Sequence, residues 1–387
     1  MSKKRFWQTE AFVWAIYIVA VLGASAGKLA LGYTEEGYTF YENYRIFRNA
    51  FPHLLQGENP YGAFPMEQMD LYKYSPAFAL LMAPFAPLPD WLGMPLWNLF
   101  NAVLLLTAIL RLPGLTPVQR RFVAWFVLLE LITSVQNSQS NGLTAAGILW
   151  AYIALERSQP FWAAGWTAGG VFLKIFGGFA AIPAMLYASR RAFVIGSVFW
   201  GVALALVPLV VLTPVELENT YRFWIDLLLT DHEASTGLSV AGWLKTWFGW
   251  EPSKTGISVV GLGLLLLSVW RHVPYNTLHV RALAWASVLL WVIIFNHKAE
   301  SPTFVVAMCG VGLWYFWDTT TPPLHKNILL WVTFALVSLS PTDLFPPYVR
   351  KMIIRPYVLK AVPCIAVWLL VTWQLFRLPK QRVPHDN

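Results

Sequence analysis

The residues of this chain that could do chemistry are few, and they fall into short clusters. The first pair of clusters is Tyr41-Glu42-Asn43-Tyr44-Arg45-Ile46-Phe47 and Asp70-Leu71-Tyr72-Lys73-Tyr74-Ser75-Pro76, the second standing directly before an apolar run. A carboxylate there, Asp70 or Glu42, could remove a proton from an acceptor hydroxyl, with Asn43, Lys73 and Tyr74 placed to bind substrate. The plainer role for Asp70 is a pair with Lys73 that caps the following helix. Farther along, Gln136-Asn137-Ser138-Gln139-Ser140-Asn141 concentrates amides. Asn137, Gln139 and Asn141 could bond sugar hydroxyls without adding charge, or cap two helix ends. Lys174 stands between two apolar runs, and an intramembrane cation is costly and functional by default. It could meet a phosphate, snorkel to the surface, or pair with a loop carboxylate.

The densest polar insertion between two apolar runs is His297-Lys298-Ala299-Glu300. An ordinary solvated loop would be polar in the same way. Arg350 and Arg355 could hold a phosphate through charge-assisted hydrogen bonds or contact anionic head groups. Asp231-His232-Glu233 has the residue types of a metal cluster, but adjacent ligands of this kind rarely form a site alone. The triplet reads as loop surface, from which Glu233 could still reach an acceptor. No metal or cofactor is expected.

The elements that must position these groups are membrane helices. Of 387 residues, 57% are apolar and only 12% charged, against about 25% charged in a soluble domain. Mean hydropathy is +0.52, and several runs approach the roughly 20 residues that cross a bilayer. A soluble enzyme, a disordered chain and a disulfide-stapled domain are excluded. The expected fold is all-α and polytopic, one integral-membrane domain over 1–387 with about twelve spans. These fall near 12–32, 88–111, 120–135, 141–156, 160–173, 175–188, 192–213, 255–270, 280–296, 302–317, 327–340 and 358–377. The stretch 76–87 is too short to span alone, so it is either re-entrant or the beginning of the second span.

The net charge of +8 invites a nucleic-acid reading, but the basic residues flank apolar runs instead of forming one stripe. Arg111, Arg120, Arg121, Arg190, Arg191 and Arg377 are distributed as in cytoplasmic loops. Both termini are therefore expected in the cytoplasm, with the first span retained in the mature protein. The long loops 33–75 and 214–254 then lie outside, as do Lys174, 297–301 and 341–357. Within the first loop, Phe47, Phe51, Leu54 and Leu55 recur at helical spacing and predict an interfacial amphipathic helix that Gly57 ends. Cys309 and Cys364 lie inside apolar runs, as inert thiols. Paired discontinuous helices of a transporter with inverted repeats are not evident. The one-sided distribution of polar residues also argues against a lipid-linked-sugar flippase.

Taken in order, these features resemble glycosyltransferase family 87, once called domain of unknown function 2029. The resemblance rests on Gly57-x-x-Pro60-Tyr61, Tyr72-Lys73-Tyr74-Ser75-Pro76, Leu80-Leu81-Met82-Ala83-Pro84-Phe85, the Gln136–Asn141 turn, Lys174, and Asn296-His297-Lys298-Ala299-Glu300-Ser301-Pro302. It spans roughly residues 12 to 310. It implies a GT-C fold and inverting transfer of a hexose, mannose in the best-known members. In the family a Ser-Pro motif accompanied by histidines occupies the place of His297–Pro302 and faces the lipid phosphate, so the resemblance also implies that His297 and Lys298 are phosphate ligands, with Glu300 orienting one of them or binding sugar. The donor would be a polyprenyl-phosphate sugar and the acceptor a glycan or glycolipid, outside a bacterial inner membrane, with membrane lipids as surroundings and no nucleic acid. The family's loop aspartate stands about fourteen residues before the glycine of the Gly-x-x-Pro-Tyr motif, and here that position is Asn43. An amide cannot serve as a general base, so Asp70 is favoured over Glu42. The same change suits a non-catalytic binding subunit.

Overall fold

The computed structural model describes residues 9–230, 235–251, 253–274 and 276–379. Among them the chain is helical, with an isolated Tyr33–Thr39 bridge as its β pairing. The α-helices in chain order are α1 Glu10–Leu31, α2 Glu42–Leu55, α3 Pro76–Leu81, α4 Asp90–Ile109, α5 Pro117–Gln136, α6 Asn141–Glu156, α7 Pro160–Leu173, α8 Ala181–Ala184 and α9 Arg190–Leu206. They continue with α10 Pro214–Thr230, α11 Val240–Phe248, α12 Lys254–Trp270, α13 Leu278–Ile294, α14 Phe304–Trp317, α15 Pro323–Thr333, α16 Pro347–Val349 and α17 Val362–Arg377. Eleven of the twelve apolar stretches read from the sequence are helical, within a few residues at either end. Stretch 175–188 differs: it is a 3-10 turn, Ile175–Ala180, followed by the four-residue α8.

By length and composition, Glu10–Leu31, Asp90–Ile109 and Arg190–Val210 are long and apolar enough to cross a membrane, while six further apolar helices run 10–17 residues. Seventeen residues rise only about 25 Å, short of a roughly 30 Å hydrocarbon core. Their surroundings explain how such helices are tolerated. Fourteen of the 16 residues of α6 are buried, as are 14 of the 17 in α13, so these helices meet protein on nearly every side. On α9, by contrast, Val194, Ile195, Val198, Phe199 and Val202 are exposed. A long apolar helix with an open apolar face suits lipid contact.

Polar contacts collect at the two ends of this bundle. At one end Arg281 bonds Glu156 through Nε and Nη2 at 2.6 and 2.8 Å, and the Tyr187 hydroxyl donates to the same carboxylate at 2.6 Å. His272 meets the Leu375 carbonyl there, and Arg120 donates to the Leu112 carbonyl. The loops carrying Arg111, Arg190 and Arg377 belong to this basic end. At the opposite end lie α2, the Gln136–Asn141 turn, Lys174, the loop 296–303 and the corner 340–360.

The first-loop helix forms as its spacing predicts. Phe47 and Leu54 are buried, Leu55 faces away, and Gly57 at φ +70° closes the element, a left-handed geometry that favours glycine. Its apolar face packs into an aromatic cluster in which Phe47 lies 4.8 Å from Tyr74 and 5.9 Å from Trp97 between ring centroids. Arg48 pairs with Asp90 at 2.5 Å, joining α2 to the start of α4. Ser75, and not the Asp70–Lys73 pair, caps α3: its hydroxyl accepts from Phe78 N–H and donates to the Phe172 carbonyl.

One ion pair lies well inside the protein. Lys360 Nζ meets Glu130 Oε1 at 2.7 Å and Ser301 Oγ at 2.6 Å, with the two side chains 3% and 0% exposed. Breaking such a pair leaves an uncompensated buried charge, worth about 3–5 kcal/mol. Lys360→Met should therefore lower the unfolding midpoint in detergent sharply, and Lys360→Met/Glu130→Leu should recover most of the loss. Equal destabilisation in the single and double variants would show that the charge is not the source.

Candidate functional site

A cavity of about 510 Å³ opens at the end opposite the basic loops. Its wall includes Glu42, Asn43, Asp70, Lys73, Tyr74, Gln139, Lys174, Lys298 and Glu300, so residues more than 250 positions apart in sequence face one space. Thr303 and Trp224 also line it, neither singled out by the sequence reading, as does Asn296, named there only within the Asn296–Pro302 motif. Trp224 projects from the second long loop through α10, and its indole N–H donates to the Lys73 carbonyl at 3.2 Å. That bond sets the second loop against the first.

Lys174 occupies the break after α7, where its backbone turns extended. Its ammonium donates to Asn141 Oδ1 at 2.6 Å and lies 5.9 Å from the ring centroids of both Tyr74 and Phe176. The break is held by a close approach of Gly170 to Gly177, where a Cβ on Gly177 would collide with the facing backbone. From Asn141 the hydrogen bonds continue. Its Nδ2 donates to Gln139 Oε1 and to the Pro302 carbonyl, and Gln139 Nε2 donates to Glu300 Oε2 at 3.0 Å. Asn43 hangs from the same turn, its Nδ2 donating to the Asn137 carbonyl at 3.0 Å. Thus Asn137 contributes its backbone here, while Asn141 supports Lys174 from behind the wall.

The two carboxylates of the first loop are in different states. Glu42 is 9% exposed and accepts from the Thr39 N–H and hydroxyl at 3.1 and 3.0 Å through Oε2, and from Met69 N–H at 2.9 Å through Oε1. It latches the loop to itself. Asp70 is more than half exposed, with Lys73 at 3.3 Å from Oδ2 and its own neighbour Leu71 donating to Oδ1 at 2.7 Å. Tyr74 stays a neutral phenol, since burial pushes it up to about 12.

A second cavity, of about 370 Å³, adjoins the first. Arg350, Arg355, Lys360 and Ser301 line it, and Glu300 is the residue, among those described, that lines both. Arg350 and Arg355 therefore stand apart from Lys174 and Lys298. Arg350 is paired with Asp343 at 3.0 Å. His297 lies off both walls, its carbonyl packed against Gly237. Glu233 falls outside the described residues, as do Asp231 and His232.

Fold and site together define an integral-membrane protein with a polar cavity at one end of a helical bundle. The family model of glycosyltransferase family 87 matches residues 72–341. This covers more than half the chain, which belongs to that family and is a membrane glycosyltransferase. The match includes Lys73, Tyr74, Gln139, Lys174, Lys298 and Glu300, and begins after Glu42, Asn43 and Asp70. No curated protein matches the chain.

The three bonds to Glu42 carry a local prediction. Hydrogen bonds to a charged group contribute about 1.5–3 kcal/mol each, so Glu42→Gln should speed amide exchange around Met69 by about tenfold or more. Exchange mass spectrometry on residues 66–70 reads this directly, and unchanged protection would remove Glu42 from the latch.

Proposed function

We propose that this glycosyltransferase moves a hexose, mannose being the first candidate, from a polyprenyl-phosphate donor to a glycan or glycolipid acceptor, with inversion. The reaction takes place on the extracytoplasmic side of a bacterial inner membrane, and the twelve apolar stretches cross that membrane with both termini inside. The orientation is supported by the basic loops gathered at the end opposite the cavity.

One observation carries the donor class. An apolar groove of about 380 Å³, walled by residues such as Phe78, Phe100, Leu104 and Leu204, runs between α3, α4, α6, α7 and α9. It ends at Leu173, which also lines the polar cavity, and the next residue is Lys174. A ligand filling both spaces has a long apolar tail and an anionic head, the form of a lipid phosphate. Its phosphate lies by Lys174 and Lys298, while Asn43, Tyr74 and Gln139 meet sugar hydroxyls. Arg350 and Arg355 serve a phosphate or head group in the neighbouring cavity.

Chemistry then needs little beyond placement. The acceptor oxygen attacks the anomeric carbon in line as the phosphate departs from the opposite face. Holding the partners in this geometry removes much of the barrier. Lysine charge fixed beside the leaving phosphate stabilises what develops in the transition state. A carboxylate on the cavity wall takes the acceptor proton.

The groove provides the test. Gly169 has open space around it, and Gly147 is nearly as free, so Gly169→Phe and Gly147→Leu fill the groove without touching the polar cavity. In membranes given radiolabelled polyprenyl-phosphate mannose, these variants should transfer from the long-chain donor at least tenfold more slowly than the parent. A truncated-chain donor should be used equally well by all. Undiminished transfer from the long chain would sink the groove assignment. Donor binding by the parent with no glycosylated product would leave a non-catalytic binding subunit.

A further inference from the structure

The three carboxylates that line the polar cavity differ in what their oxygens are already doing. Both oxygens of Glu42 are engaged, by Thr39 and Met69. Both oxygens of Asp70 are engaged too, by Lys73 and by Leu71 N–H. Glu300 is different. Its Oε2 accepts from Gln139, while its Oε1 has no hydrogen-bond or ion-pair partner among the described residues. A general base needs an oxygen that can accept the acceptor's proton, and a lone pair already committed to N–H donors is a poor one.

Position supports the same choice. Glu300 stands where the cavity holding Lys174 meets the cavity holding Arg350 and Arg355. A donor seated on one side and an acceptor entering from the other come together at this residue. Its carboxylate is the terminus of a directed chain in which Lys174 donates to Asn141, Asn141 to Gln139 and Gln139 to Glu300. The backbone beneath it is fixed as well. Thr303 Oγ1 donates to the Glu300 carbonyl at 2.7 Å, and Leu238 N–H donates to the Ala299 carbonyl at 2.9 Å.

We infer that Glu300 is the general base of this glycosyl transfer, an inference that rests on the function proposed above. As the acceptor hydroxyl approaches, its proton passes to Glu300 Oε1 and its oxygen forms a bond to the anomeric carbon. The bond from that carbon to the phosphate oxygen breaks, and its electron pair leaves with the lipid phosphate. Glu300 afterwards returns the proton to water. Asp70 and Glu42 shape the loop, and Asn43 supplies an amide to the sugar.

The experiment measures transfer from radiolabelled polyprenyl-phosphate mannose, with the acceptor product identified, in the full-length protein. It is paired with binding of unlabelled polyprenyl phosphate, read as a shift in the unfolding midpoint. General-base catalysis contributes roughly 10²–10⁴-fold, so Glu300→Gln should lower kcat at least 100-fold with little change in donor KM. The phosphate should still shift its midpoint. Glu300→Asp, which keeps the carboxylate, should retain more activity than Glu300→Gln, and Asp70→Asn should transfer at least tenfold faster than Glu300→Gln. The inference is overturned if Glu300→Gln transfers at a near-parental rate, or if Asp70→Asn is as slow. Loss of phosphate binding together with transfer in Glu300→Gln would assign the residue to holding the cavity and overturn it equally. Absence of any transfer by the parent would overturn the proposed function and this role with it.

Discussion

A buried charge in a membrane protein must find its counterpart within the protein, because hydrocarbon offers none. Three cations show how this chain meets the requirement. Lys360 faces Glu130 and Arg281 faces Glu156, each a carboxylate at hydrogen-bond distance. Lys174 instead donates to the side-chain oxygen of Asn141, a neutral acceptor. Its donor geometry is thereby held while its charge is not cancelled at contact. The first two pairs lock helices together. The third leaves a positive centre at the rim of a cavity, in want of an anion.

Everything else at that end can be understood as holding this lysine and its surroundings in place. Gly170 and Gly177 let the chain fold back sharply enough to expose the break that carries it. Ser75 ties the start of α3 to the Phe172 carbonyl, two residues before it. The Glu42 latch and the packing of α2 on the aromatic cluster bring Asn43 and Tyr74 to the same rim. Amides, not charges, make most of these connections, which suits a place where each extra charge would carry its own desolvation cost.

How far the sequence reveals this depends on the kind of information. Periodicity placed the helices and the amphipathic element ending at Gly57, since apolar spacing is local. Residue type brought forward Asp70 and Lys174, the family resemblance brought forward Glu300, and the structure sets all three around one cavity. What residue type could not reveal was occupancy. Two of the three bonds that tie up Glu42 come from backbone N–H groups, of Thr39 and Met69, and every residue but proline has one; the third comes from the Thr39 hydroxyl. Nor could loop order show that Arg350 and Arg355 open on a different cavity from Lys174. Glu130 was overlooked although a carboxylate inside an apolar run is itself a signal. Its partner, Lys360, lies 230 residues away.

The amide at Asn43 takes on a different meaning in this light. Asn43 and Glu300 hang from one turn, through Asn137 and Gln139 respectively, so a group on either can address the same volume. Proton abstraction depends on where an accepting oxygen sits, not on which segment carries it. Glu300 is carried beside the 3-10 turn Ser301–Thr303 that leads directly into α14, and Asn43 stands in the first turn of α2, so both are mounted at a helix entrance, whereas Asp70 lies in the irregular part of the first loop. Support of that kind matters because misplacing a reacting group by about 1 Å can cost on the order of 100-fold in rate. On the role proposed for Glu300, a carboxylate at the entrance of α14 is therefore better defined than one at Asp70, and the amide at Asn43 would leave the proton to it.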